Sequence, residues 1–159
     1  MCDTEFPYQV RPAYLEEWES IMELAWLTFL RFDAKDYTQE GIDSFRDFIT
    51  DVTLHRMFQE GRYQIFVALD KKKIIGMISL RNETHISLLF VDKEYHMQGV
   101  GRSLMKYLCN YLLTEMNQWK VTVNASPYAV GFYHKLGFYD LGPVTYSQGI
   151  LYTPMMFIL

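Results

Sequence analysis

The residues best placed to do chemistry lie in and around the run His96-Met97-Gln98-Gly99-Val100-Gly101. It joins an apolar, β-prone run, His85-Ile86-Ser87-Leu88-Leu89-Phe90-Val91, to an amphipathic helix predicted to reach about Met116. Val100, Leu104, Leu108, Tyr111, Leu112 and Met116 recur on one face of that helix. Gly99 and Gly101 let the backbone turn sharply and leave no side chain over the helix N-terminus. The first N–H groups there lack partners within the helix and carry the positive end of its dipole. Such an end accepts phosphate oxygens, so the segment reads as a pyrophosphate cradle, its amides running from about Met97 to Ser103 with Arg102 adding charge. A dinucleotide fingerprint would need glycine where Leu104 stands, and a nucleoside-triphosphate loop would need lysine where Arg102 stands. A lone Gly-x-Gly also opens plain turns, so a second segment must decide.

That segment follows downstream. Val121-Thr122-Val123-Asn124 reads as a strand, and Ser126-Pro127 then reads as an N-cap hydroxyl with proline at the first helical position. Gly137 before Phe138 is a helix stop, which predicts a short helix from Pro127 to Leu136. In this order, the two segments resemble the motifs of the GCN5-related N-acetyltransferases (GNAT). The first is similar to the family's Gln/Arg-x-x-Gly-x-Gly/Ala, with His96 where Gln or Arg is usual. The second, Asn124 to Phe138, is similar to Asn-x-x-Ala/Pro-x-x-x-Phe-Tyr-x-Lys-Leu-Gly-Phe, with His134 where Glu is more frequent.

The resemblance implies an acyl-CoA N-acyltransferase fold, α/β with a mixed, mostly antiparallel central sheet flanked by helices on both faces. It implies acetyl-CoA as cosubstrate, no metal, and acetyl transfer from a thioester to a primary amine. Such a reaction must remove the ammonium proton, stabilise the oxyanion and protonate the departing thiolate. An alkyl ammonium has a reference pKa of ~10.4, so the amine needs a base at neutral pH. The family usually supplies a Glu near the start of the strand where this chain has His85, with Glu83 as the rival base and a structural strand-end histidine as the plain alternative. By the same resemblance, backbone groups of Leu89, Phe90 and Val91 lie along the pantetheine arm, and the Asn124 amide either joins them or holds a local turn. His96, Met97, Gln98, Gly99, Val100, Gly101, Arg102 and Ser103 form the pyrophosphate loop, and Tyr133 is the general acid. The thiol at ~8.5 is more acidic than a phenol at ~10, so full proton transfer is uphill by roughly 2 kcal/mol, small beside an enzymatic barrier. A protein or peptide amine acceptor, and a CoA-binding regulatory module without chemistry, share these motifs.

The remaining sequence supplies elements to position them. A chain of 159 residues without a linker or repeat reads as one domain over 1–159. Its 50% hydrophobic and 16% aromatic content suits a packed core and excludes disorder. Tyr8–Arg11 reads as a first strand, Pro12–Phe32 as a helix, and Thr38 as the cap of a second helix. Tyr63–Leu69 and Ile74–Leu80 read as a hairpin with His85–Val91 beside it, and Trp119–Asn124, Tyr139–Leu141 and Gly149–Ile158 complete the sheet. Cys2 and Cys109 are too few for a disulfide framework, with Cys109 read as a buried thiol. No secretory signal pattern opens the sequence, which reads as a soluble cytoplasmic enzyme. A net charge of −4 argues against nucleic-acid or membrane-surface binding, and a homodimer is left open. Acidic residues outnumber basic ones thirteen to five in residues 1–60. Glu16, Glu17, Glu19, Glu23, Glu40, Asp43 and Asp47 on the first two helices either form solvated faces or, as the resemblance suggests, wall an acceptor site that attracts an ammonium.

Overall fold

The computed structural model describes residues 7–159; Cys2 and the acidic first residues lie outside them. The strands are β1 (Gln9–Pro12), β2 (Gln64–Asp70), β3 (Lys73–Arg81), β4 (His85–Val91), β5 (Lys120–Ala125), β6 (Tyr139–Asp140), β7 (Thr145–Ser147) and β8 (Ile150–Ile158). They order as β1-β2-β3-β4-β5-β8-β6, with β7 also pairing β8. Every pair is antiparallel except β4–β5.

The helices are α1 (Trp18–Phe32), α2 (Gln39–Ile49), α3 (Val52–Gln59), α4 (Val100–Thr114) and α5 (Val130–Leu136). Strict alternation along β2 sends its side chains to two cores. Phe66 and Ala68 pack in the core that holds Leu104, Leu108 and Leu112 of α4 and Tyr133 of α5. Ile65, Val67 and Leu69 pack in the core that holds Ile21 and Met22 of α1 and Leu54 and Phe58 of α3. The sheet therefore carries helices on both faces, as expected.

Two helix starts and one whole helix differ from expectation. The helix predicted from Pro12 begins at Trp18, after a 3-10 turn over Leu15–Glu17. Helix α3 was not anticipated; the Asp51 carboxylate caps it by accepting from the Thr53 N–H, and Leu54 and Phe58 are buried. Helix α5 starts at Val130 rather than Pro127. The Ala129 and Val130 amides donate to the Ser126 carbonyl in a turn, and the Ser126 hydroxyl, expected to cap the helix, donates elsewhere.

Candidate active site

The site begins where β4 and β5 part. They pair at His85↔Thr122 and Ile86↔Val123 and nowhere further along. Strand β4 continues to Val91 against β3, while β5 turns to its long antiparallel partner β8. Backbone groups on the β5 side of Leu88–Val91 are thus left without a strand partner, an edge able to hydrogen-bond an extended ligand. A cleft of about 880 Å³ opens along this edge, lined by Leu88–Val91, the start of α4, Asn124–Ser126 and Tyr133.

One end of the cleft is the loop before α4. Gly99 takes the left-handed conformation (φ 79°) as the helix N-cap. A Cβ on Gly101 would sit 3.2 Å from the Phe132 ring, so glycine lets α4 and α5 approach. Met97, Gly99, Val100, Gly101 and Arg102 line the cleft. Ser103 does not, and its amide donates to the Gly99 carbonyl within the helix (3.0 Å). Gln98 also lies outside the lining; its side chain accepts from the Tyr8 hydroxyl and donates to the Glu94 carbonyl. His96 has a role in the loop itself. Its Nε2 donates to the Val91 carbonyl (2.8 Å) and its ring stacks on Phe32 (4.7 Å), which in turn stacks on Tyr128 (5.0 Å). This column of rings ties the loop, the end of α1 and the β5–α5 turn together.

Tyr133, 3% exposed, reaches the cleft from α5 between the edges of Phe132 and Phe138. Burial and the nearby Asp33 push its phenol far above the ordinary value, so the hydroxyl keeps its proton. Among the described residues that hydroxyl has no hydrogen-bond partner within the protein.

His85 does not join them. It is absent from the cleft lining, its Nδ1 is hydrogen-bonded to Thr122 Oγ1 (2.8 Å), and burial with Arg81 nearby lowers its pKa to about 4. Both its position and its weak basicity disfavour it as the base. Glu83 is exposed, points to Gln118 Nε2 (3.4 Å) and is likewise outside the cleft. The acid-rich faces of α1 and α2 also stay outside: Glu16, Glu17, Glu19, Glu23, Glu40, Asp43 and Asp47 do not line the cleft, and Glu17 is paired to Arg11 (2.9 Å). The sole carboxylate among the lining residues is Asp33.

Asp33 was missed by the sequence reading. It is the C-cap of α1 and 7% exposed, and its Oδ1 accepts from the Ser126 hydroxyl (2.8 Å). A buried acid at the negative end of a helix dipole is unfavourable, but the burial exists only in the fold. In the sequence Asp33 is one acid among several near the end of the Pro12–Phe32 pattern. Burial raises its pKa, against the lowering effect of the Ser126 bond.

Comparison with known proteins decides the family. Residues 33–159 match the family model described as an acetyltransferase (GNAT) domain. This chain belongs to the GNAT acetyltransferase family. Over 75 residues this GNAT protein is 37% identical to the uncharacterized N-acetyltransferase YafP of Escherichia coli (strain K12), a match spanning 47% of this chain and 45% of that protein. Its fold is shared with a GCN5-related N-acetyltransferase from Rhodopseudomonas palustris, TM-score 0.81 at 22% identity, covering 100% of this chain and 99% of that one. The PaiA N-acetyltransferase of Thermoplasma acidophilum, solved with coenzyme A, aligns with TM-score 0.76 at 19% identity over 96% and 99% of the chains. The spermidine N-acetyltransferase of Vibrio cholerae, solved with CoA and spermine, aligns with TM-score 0.68 at 17% identity over 96% and 95%. At these identities the structural likeness concerns the fold. The matched family is one of acetyltransferases, and no helix among the described residues is long and apolar enough to cross a membrane.

Proposed function

We propose that this enzyme moves the acetyl group of acetyl-CoA to a small cationic primary amine by direct transfer, with Tyr133 as general acid. The observation that carries the reading is a single cleft that joins the unpaired edge of β4, the open N-terminus of α4 and the Tyr133 hydroxyl.

The residues present fit acetyl-CoA. The edge of Leu89, Phe90 and Val91 would hold the pantetheine arm, with the exposed Asn124 amide facing the same cleft. Amides of Met97 and Gly99–Arg102, with the Arg102 guanidinium, would hold the pyrophosphate, while His96 fixes the loop through Val91. Bound there, acetyl-CoA supplies an activated acyl thioester. Burial keeps Tyr133 protonated and also makes it a weaker acid than a free phenol. Its hydrogen bond to the departing sulfur therefore carries the stabilisation, and the proton crosses only as negative charge builds there. The apolar rings around it exclude water and strengthen that hydrogen bond.

The other end of the cleft supports a small acceptor over a polypeptide. Gln148 and Ile150 line it, and the β7–β8 turn docks on the start of α2, where the Thr38 amide donates to the Gly149 carbonyl (3.1 Å). A Cβ on Gly41 would fall within hard contact of Gly149, so the two segments meet backbone to backbone and wall that end. An extended peptide would need a through-running groove there.

The test is acetyl-CoA turnover read as free thiol with a panel of primary amines and lysine peptides. The reading predicts thiol release that depends on a small amine and an N-acetylated product. Release unaffected by amine, or confined to peptides, would overturn it.

A further inference from the structure

We propose that Asp33 is the site where the acceptor's ammonium binds and gives up its proton, and that this acceptor is a monoamine with an apolar, ring-sized body. The inference rests on the acetyl-transfer reading above and adds the base and the class of acceptor.

Three observations converge on Asp33. It is the sole carboxylate among the lining residues, it is more than nine-tenths buried, and it adjoins Tyr133 closely enough to perturb that phenol. Its Oδ1 is held by the Ser126 hydroxyl, a side chain that gives up capping α5 to make this bond. Asp33 ends α1 and opens the 3-10 turn Ala34–Asp36 without capping it by its side chain, and Ser126 precedes α5 without capping it. Both side chains are spent on one buried bond instead, a pattern expected of functional sites. No hydrogen bond occupies Oδ2 among the described residues, and that oxygen is accordingly the one available to an ammonium. Burial also makes the carboxylate a stronger base than an exposed aspartate.

The walls around it define the body. Phe29, Phe32, Phe45 and Phe48 line the cleft with Asp33. Phe29 stacks on Phe45 at 4.0 Å and Phe32 stacks on both His96 and Tyr128, so these packed rings form a fixed apolar wall. Such a wall accepts an apolar body and leaves Asp33 to hold the ammonium. A polyamine brings further charges that need further carboxylates, and the lining offers none, while Arg81 repels them.

The protons balance. One ammonium N–H proton passes to Asp33, and the freed lone pair forms the bond to the acyl carbon as the C–S bond breaks. Sulfur takes the Tyr133 proton, the second nitrogen proton returns to Tyr133, and Asp33 releases its own to solvent.

The test compares wild type with Asp33→Asn, which preserves an acceptor for Ser126, and with Ser126→Ala, a change at a positioning residue. Calorimetric titration with 2-phenylethylamine should show binding to wild type weakened at least about tenfold in Asp33→Asn, with acetyl-CoA affinity intact as the check of folding. The kcat/KM for that amine should fall about 10²–10⁴-fold in Asp33→Asn. In wild type its acidic limb should lie above the ordinary carboxylate value of ~3.9, set by Asp33 among Lys35, Asp36 and Tyr37 on its own segment, Tyr133 from α5 and His96 across Phe32; in Ser126→Ala the limb should move up, because a bond favouring the charged form is lost. Wild type should prefer 2-phenylethylamine to spermidine by at least about tenfold in kcat/KM. Unchanged amine binding and kcat/KM in Asp33→Asn would overturn the assignment, and a preference for spermidine would overturn the acceptor class. If wild type transferred acetyl to no amine, the reading beneath would fail, and the titration would still judge Asp33.

Discussion

Burial changes what His85 can do. Its ring is held by Thr122, and desolvation with Arg81 nearby brings its pKa to about 4, below the ~6.5 of an unfolded histidine. As pH falls the unfolded chain therefore takes up the proton first. The stability that the neutral ring contributes is intact above about pH 6.5 and is lost progressively towards pH 4. Thermal midpoints measured across this range should fall more steeply for wild type than for His85→Gln, and activity per folded molecule should be alike in the two. Equal slopes, or a loss of turnover in the variant without loss of fold, would contradict this. The resemblance that marked His85 is one of strand position, and strand position does not say which way the ring points or what desolvates it. Asp33 was hidden for the converse reason: its partner Ser126 lies far along the chain, and the pairing exists only once α1 and the β5–α5 turn are side by side.

Elements with strong local signals were legible to within a few residues. Helix α4 starts at Val100 as its glycines indicate, and β4 spans His85–Val91 as read. Helix α5 was drawn too long because Ser126-Pro127 is a good helix start in isolation; the tertiary bond to Asp33 draws the hydroxyl away. Helix α3 went unread although Asp51 and the Leu54–Phe58 spacing mark a short helix. The cradle at α4 can be tested as an element. Gly101→Asp puts a carboxylate where phosphate oxygens would lie and drives a Cβ to 3.2 Å from the Phe132 ring. Calorimetric affinity for CoA should drop by at least about tenfold, which is about 1.4 kcal/mol. Wild-type affinity in a folded Gly101→Asp would remove the pyrophosphate from this loop.

At the scale of the whole molecule, the decisive feature is one that no residue pattern announces. Strands β4 and β5 run parallel for two paired positions and then diverge, because β5 is committed to a six-residue antiparallel register with β8. That divergence leaves an unpaired edge inside the protein and sets Tyr133 opposite it. The neighbours β2, β3 and β4 were legible in the sequence, whereas the insertion of β8 between β5 and β6, the short β7 and the closure of α2 on the β7–β8 turn depend on docking between segments remote in sequence. The acid-rich first third forms outer helix faces and leaves the cleft a single carboxylate, so net charge describes the surface and says little about the site. The proposed chemistry stands or falls on a cleft that holds acetyl-CoA and a proton supplied by Tyr133. Its most direct test is the single-turnover rate of acetyl transfer in Tyr133→Phe, measured beside acetyl-CoA affinity so that product release cannot mask the chemical step. The expected rate is lower by about 10²–10⁴-fold with affinity nearly unchanged. A single-turnover rate equal to that of wild type would contradict it.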